Sequence, residues 1–224
     1  MKKIKFSISE LLISIFIPEP FKPYSTIIYT HMADDNTEAV AKLQGNAAYI
    51  LVNIDGVDWN KDLSPWPAPK VFRNGDTFTG GADGYLEKLT KDIVPTVEKK
   101  IGVIANSRAI AGYSLSGLFA IYALYRTDIF NCAASISGSL WYDGFLDFMV
   151  KNRPVRTLQK VYFSLGDRES KAKNQRFARV GKCTAEAEVL LRSCGAATKF
   201  ELNKGNHFVD IPERIAKGLN WISI

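Results

Sequence analysis

Gly112-Tyr113-Ser114-Leu115-Ser116-Gly117 lies between two apolar runs, "RAIA" and "LFAIYAL". A serine held where a strand turns sharply into a helix has its hydroxyl lifted clear of the backbone, placed to attack a carbonyl carbon. The turn brings strand and helix backbones almost into contact, so the residues two before and two after the serine must be small. Around Ser114 these are Gly112 and Ser116; around Ser116 they would be Ser114 and Leu118. Leucine is too bulky for that place. Ser114 is therefore the candidate nucleophile, with a structural turn serine as the alternative. Serine at position 116 departs from G-x-S-x-G but is small enough to fit.

A serine hydroxyl needs a base to take its proton, and the usual chain order is nucleophile, acid, histidine. The chain has two histidines, and only His207 follows Ser114. It sits in "NKGNHFVD", directly after the last strand expected, where a loop at the sheet edge would deliver an imidazole. His31 precedes the nucleophile and is expected to be a structural loop residue. The acid should follow the strand between nucleophile and histidine, where "VYFSLGDRES" offers Asp167 and Glu169. Either carboxylate could orient the imidazole.

An oxyanion hole needs two backbone N–H groups. The Leu115 N–H, at the start of a helix, is the first candidate. The second is expected from "THMAD", at Met32 or Ala33. Trp141 and Tyr142 follow the carboxyl end of a strand and are expected to line a substrate pocket, the alternative being local core packing.

The elements that must position these groups alternate between short apolar runs and helical patterns, as in an α/β sheet. Runs at Ile4–Ser7 and Leu11–Ile17 read as an antiparallel pair. Strands are expected in "STIIYTH" (25–31), "AAYILVNID" (47–55), "RAIAGYS", "NCAASIS", "KVYFSLGD" and "TKFELNKG". Helices are expected over 35–43, over 85–100 with a kink near Pro95, in "WYDGFLDFMVKN", from Asn174 to Ser193 and in "DIPERIAKGLNWI". An amphipathic helix should begin at Leu115. Residues 55–84 hold no periodicity and place three prolines within five positions, which predicts a long loop that walls a binding site.

At 224 residues with 46% hydrophobic content, the chain is expected to form one domain, 1–224. No apolar run reaches membrane-helix length, so no membrane partner is expected. The start "MKKIKFSISELLISIFIPEP" has too short and interrupted an apolar stretch for a secretion signal and lacks an A-x-A site, which predicts a cytoplasmic protein. The three cysteines form no C-x-x-C pair, and reduced thiols are expected. Two histidines argue against a zinc site, and no metal or cofactor is expected.

Residues 1–150 carry 14 Lys/Arg against 16 Asp/Glu, and residues 151–224 carry 15 against 7. The densest run, "SKAKNQRFARVGK" (170–182), is accompanied by no interleaved aromatic platform, so no nucleic-acid partner is expected. Its position beside "GDRES" hints at an anionic ester.

"IAGYSLSGLFAIYAL", "SISGSLWYDG", "SLGDRE" and "GNHF" together resemble the esterase branch of the α/β-hydrolases. That branch includes esterase D, feruloyl and acetyl esterases, and enterochelin (siderophore) esterases. "SGSLWY" is similar to the S-P-S-x-W segment of enterochelin-esterase-like proteins, and the likeness spans about residues 25–224. It implies an α/β-hydrolase fold, a mostly parallel sheet with antiparallel N-terminal strands and helices on both faces. It also implies a serine esterase without cofactor, acting on a small-molecule ester. In several members the acid stands three positions after the loop glycine, which from Gly166 favours Glu169. Other members work with a Ser–His dyad. The same site could serve a peptidase or an acyltransferase, and the fold could also be a non-catalytic binding protein.

Overall fold

The computed structural model describes residues 1–20, 26–32, 34–45, 47–71 and 75–223. Two short runs at the start, β1 (Lys2–Ile8), with apolar residues at alternate positions from Ile4, and the mostly apolar β2 (Leu11–Ile17), pair antiparallel with Ile8 opposite Leu11. Four charged or polar side chains on β1 face solvent, while β2 is largely buried. This is the alternation expected of an edge strand beside an interior one.

The interior strands of the main sheet are near-continuous apolar runs, as two-sided burial requires. The last strand, at the far edge, instead alternates polar and apolar residues and is mostly exposed or half-buried. The strands after β2 are β3 (Thr26–His31), β4 (Tyr49–Asp55), β5 (Ser107–Tyr113), β6 (Cys132–Ile136), β7 (Lys160–Gly166) and β8 (Ala197–Asn203). Their spatial order is β1-β2-β4-β3-β5-β6-β7-β8. β2 meets β4 antiparallel, and every later pairing is parallel. The sheet is the mostly parallel one with an antiparallel start that an α/β-hydrolase requires.

Helices cover both faces. On one side lie α1 (Asp34–Lys42) and the closing helix α7 (Ile211–Ile222), where Val40, Ile215, Leu219 and Ile222 pack on Ile28, Leu51 and Ala109. On the other lie α2 (Ala82–Lys88), α3 (Val94–Ile101), α4 (Leu115–Leu124), α5 (Phe145–Lys151) and α6 (Val180–Ser193). Complete burial of side chains such as Ile13, Ile27 and Ile110 stabilises the sheet by roughly 1.5–3 kcal/mol each.

Four expectations are corrected. The single helix expected over 85–100 is interrupted, just before Pro95, by a π-helical turn over Leu89–Ile93 that joins α2 to α3. Proline has no N–H to give and its ring crowds the carbonyl four residues back, and one wider turn relieves both. Helix α4 is not amphipathic, because all ten of its residues are buried between the sheet and its neighbours. The helix expected from Asn174 is broken at Arg179 into a single turn, Gln175–Ala178, and α6. Finally, residues 55–84 contain a turn of helix (Trp59–Asp62) and a two-residue ribbon, Pro67–Ala68 with Phe78–Thr79.

All parallel strands end on one edge. β3 delivers His31 there, β5 is followed by Ser114, β6 by Ser137, β7 by the loop with Glu169, and β8 by the loop with His207.

Candidate active site

Ser114 caps α4 at φ 59°, ψ −120°, a left-handed backbone that few non-glycine residues adopt. A Cβ on Gly112 would stand 2.1 Å from Ser116 Oγ and 2.3 Å from the Ser116 carbonyl carbon. Only glycine fits at 112. The small residue required at 116 is met by a serine whose hydroxyl lies 3.4 Å from His31 Nδ1. His31 is not a loop residue: it ends β3, almost wholly buried, with Nε2 2.7 Å from the Tyr85 hydroxyl. Burial pushes its pKa down to about 3, so the ring stays neutral. Ser116, likewise buried, is taken up by this internal contact and does not line the cleft described below.

His207 lies across from the elbow. Its Nε2 is 3.2 Å from Ser114 Oγ, and its Nδ1 is 2.8 Å from Glu169 Oε2. With Glu169 ionised, Nδ1 carries the proton and donates it to the carboxylate, leaving the Nε2 lone pair facing the hydroxyl. Asp167 does not touch the imidazole. Its Oδ1 accepts from Gly205 N–H at 2.9 Å, and its own N–H donates to the Asn203 carbonyl at 2.8 Å. It braces the loop that carries His207.

The second oxygen of Glu169 is held by three donors. Oε1 accepts from Gly166 N–H at 2.5 Å, from Ser137 Oγ at 2.6 Å and from Arg214 Nη2 at 2.9 Å. Burial acts to raise the carboxyl pKa. The bonds from His207, Ser137, Gly166 and Arg214 outweigh it and hold the pKa down at about 2. Arg214 was not identified in the sequence, although it falls in phase with the buried Ile215, Gly218, Leu219 and Ile222 of α7. A cation on a core-facing stripe was the available signal.

Leu115 is the first residue of α4, and its N–H belongs to the set that has no carbonyl one turn back. Met32 N–H is already engaged by Asn53 Oδ1 at 2.8 Å, and Asn53 Nδ2 returns a bond to the Met32 carbonyl at 2.9 Å. That pairing takes Met32 out of the candidate oxyanion donors. Ala33 lies outside the described residues.

Ser114, Leu115 and His207 open into a cleft of about 680 Å³. Trp141 lines it with Phe78, Phe177 and Phe208, as do Trp59 and Val71 from the segment expected to form a wall. Tyr142 does not line it. This side chain is buried behind the wall and donates to the Trp66 carbonyl at 2.5 Å, since its ring sits among Trp66 and Phe78. The basic run contributes little charge to the cleft. Arg176 and Arg179 pair with Asp143, Lys182 pairs with Glu186, and Lys171 faces the cleft beside Arg168 and opposite in sign to Asp76.

The chain matches the family model described as "Putative esterase" over residues 17–202. It belongs to that family. The esterase is 26% identical over 181 residues to "Uncharacterized protein YbbA" of Bacillus subtilis (strain 168), covering 77% of this chain and 72% of the relative. Its fold is similar to that of the siderophore hydrolase EstB from Aspergillus nidulans, with TM-score 0.76, 19% identity, and 99% and 94% of the two chains covered. It is also similar to an IroE-like serine hydrolase from Shewanella oneidensis, with TM-score 0.80, 15% identity, and 99% and 79% covered. The α/β-hydrolase fold of this esterase is thus shared with solved hydrolases along almost its whole length.

Among the described residues, no group of three or more His, Cys, Asp or Glu side chains converges as a metal site would. None of the described helices is long and apolar enough to cross a membrane.

Proposed function

We propose that this esterase hydrolyses carboxylic esters of small molecules through an acyl-enzyme on Ser114. One observation carries the reading: the His207 imidazole bridges Ser114 Oγ and Glu169 Oε2 at 3.2 and 2.8 Å. His207 Nε2 takes the hydroxyl proton as Ser114 Oγ attacks the ester carbonyl. Glu169 holds the ring in the required tautomer and stabilises the imidazolium. The tetrahedral oxyanion forms beside the Leu115 N–H at the positive end of α4, with a second donor proposed from the backbone after Met32 at Ala33. Collapse returns the proton from Nε2 to the leaving alkoxide. Water, activated by the same nitrogen, then releases the carboxylic acid and frees Ser114.

The wall formed by Trp141, Phe78 and Phe177 supports an apolar contact to the acyl or alcohol group. A cytoplasmic location is supported by three unpaired thiols, two of them buried in the core.

Ser114→Ala tests the proposal with p-nitrophenyl acetate as substrate. Turnover should fall by about 10³-fold or more while the thermal midpoint stays close to that of the parent. A variant that keeps parental turnover would remove Ser114 from the reaction.

A further inference from the structure

Among the described residues, Arg214 is the largest of the side chains less than 2% exposed, with 1% of its surface accessible. It rises from the first turn of α7 and ends beneath the candidate triad. Nη2 donates to Glu169 Oε1 and to Ser137 Oγ, and Nη1 donates to the Asn206 carbonyl at 3.2 Å. The guanidinium also lies 5.9 Å from the centre of the Tyr113 ring, and the Tyr113 hydroxyl donates to the His207 carbonyl. One cation therefore touches the acid, the residue before the histidine, and the tyrosine that holds the histidine's own backbone.

We propose that Arg214 is a positioning residue for the reaction: its buried charge and forked donors fix Glu169 and the His207 loop in register and set the pH at which the base works. The inference rests on Ser114, His207 and Glu169 acting as described above. Burying a lone arginine would cost far more than its packing returns, so a structural account must explain why the charge is kept. Its partner here is the acid that faces the base.

The electrostatics give the sign. Arg214 offsets the negative charge of Glu169, and that charge favours the protonated imidazole. Without the cation, the unbalanced carboxylate holds the imidazolium more tightly, and the base becomes available only at higher pH. From the cleft side, Arg168, Lys171 and Asp76 line the same space as His207. The groups packed beneath come from the strands and the loops after them. Tyr113 comes from β5, Tyr162 from β7, Glu169 from the loop after β7, and His207 from the loop after β8. The Tyr162 hydroxyl donates to Glu201 at 3.2 Å, and Lys199 and Lys217 in turn pair with Glu201. Both tyrosines are held neutral, since burial raises their pKa values. Arg214 is thus the cation that directly contacts Glu169.

The test compares the parent, Ser114→Ala, Arg214→Met and Arg214→Lys on p-nitrophenyl acetate, with circular dichroism as the check on folding. In Arg214→Met, which keeps the stem and loses the charge, the acid limb of kcat/KM should move up by roughly one pH unit. Its kcat should fall at least about tenfold, with KM within about threefold of the parent. In Arg214→Lys the limb should stay at the parental pH, because the charge remains, while kcat falls about tenfold because the fork is lost. A folded Arg214→Met with the parental limb overturns the inference, as does Arg214→Lys moving the limb equally far. If Arg214→Met does not fold, Arg214→Lys decides: parental kcat overturns the inference, and a tenfold loss at unchanged KM upholds it. Activity retained in Ser114→Ala would instead overturn the reading on which the inference stands, so the two failures are distinct.

Discussion

Glu169 Oε2 lies 2.8 Å from His207 Nδ1, whereas Asp167, two residues earlier in the same loop, turns its carboxylate onto Gly205 N–H. Two acids within three positions thus have different tasks, one on the imidazole and one on the backbone that carries it.

Their substitution should separate these tasks. Glu169→Gln keeps the shape but places a neutral amide against Nδ1, which disfavours the needed tautomer; kcat should fall by about 10²–10⁴. Asp167→Asn keeps an oxygen for Gly205 N–H, and kcat should stay within about threefold of the parent. Steady-state kinetics on one ester compares both variants.

Ser116 should be dispensable for chemistry. Ser116→Ala removes the contact with His31 and leaves a buried ring nitrogen without that partner, at a cost of about 1–3 kcal/mol in stability. Turnover should remain within a few-fold of the parent. Denaturant unfolding and ester hydrolysis measured together decide this, and loss of turnover in a folded variant would contradict the placement of the nucleophile at 114.

Gly112→Ala should be far more damaging. The added methyl would meet Ser116 backbone at 2.3–2.4 Å, where neither strand nor helix can retreat. The expected loss is about 3 kcal/mol or more, read as a fall in the denaturant midpoint.

Acid should weaken the fold in two overlapping steps. His31 is held neutral with a pKa of about 3 against 6.5 when unfolded. The unfolded chain therefore binds its proton first, and stability falls as pH drops from about 6.5 toward 3. Glu169 is held at about 2 against 4.5, so its contribution is whole above pH 4.5 and is lost as pH falls toward 2. Thermal midpoints against pH should show both in the parent, and Glu169→Gln should flatten the lower step alone.

Much of this site could be read from residue types because its parts are scarce. One histidine follows the elbow, and Gly112 and Ser114 carry a steric requirement that little else satisfies. Residue types alone left Asp167 and Glu169 open as the acid, and only the family's spacing from Gly166 favoured Glu169. The choice depends on how the chain leaves Gly166, where a 3₁₀ turn over Glu169–Lys171 aims the longer carboxylate at the imidazole. Met32 failed as a donor for a reason far away in sequence, the Asn53 side chain on β4. Tyr142 failed likewise, because Trp66 occupies the space beside it and accepts its hydrogen bond. The strands were legible from their short apolar runs, but the ribbon and the single helical turn within 55–84 are too short to leave a periodic trace.

Fluorophosphonate labelling followed by peptide mapping tests the central claim most directly, since it reads which hydroxyl is activated and by what. The parent should carry one adduct, on Ser114, and folded His207→Ala should label slower by at least about 10²-fold. An adduct on another serine, or no adduct on folded parent protein, would contradict the account.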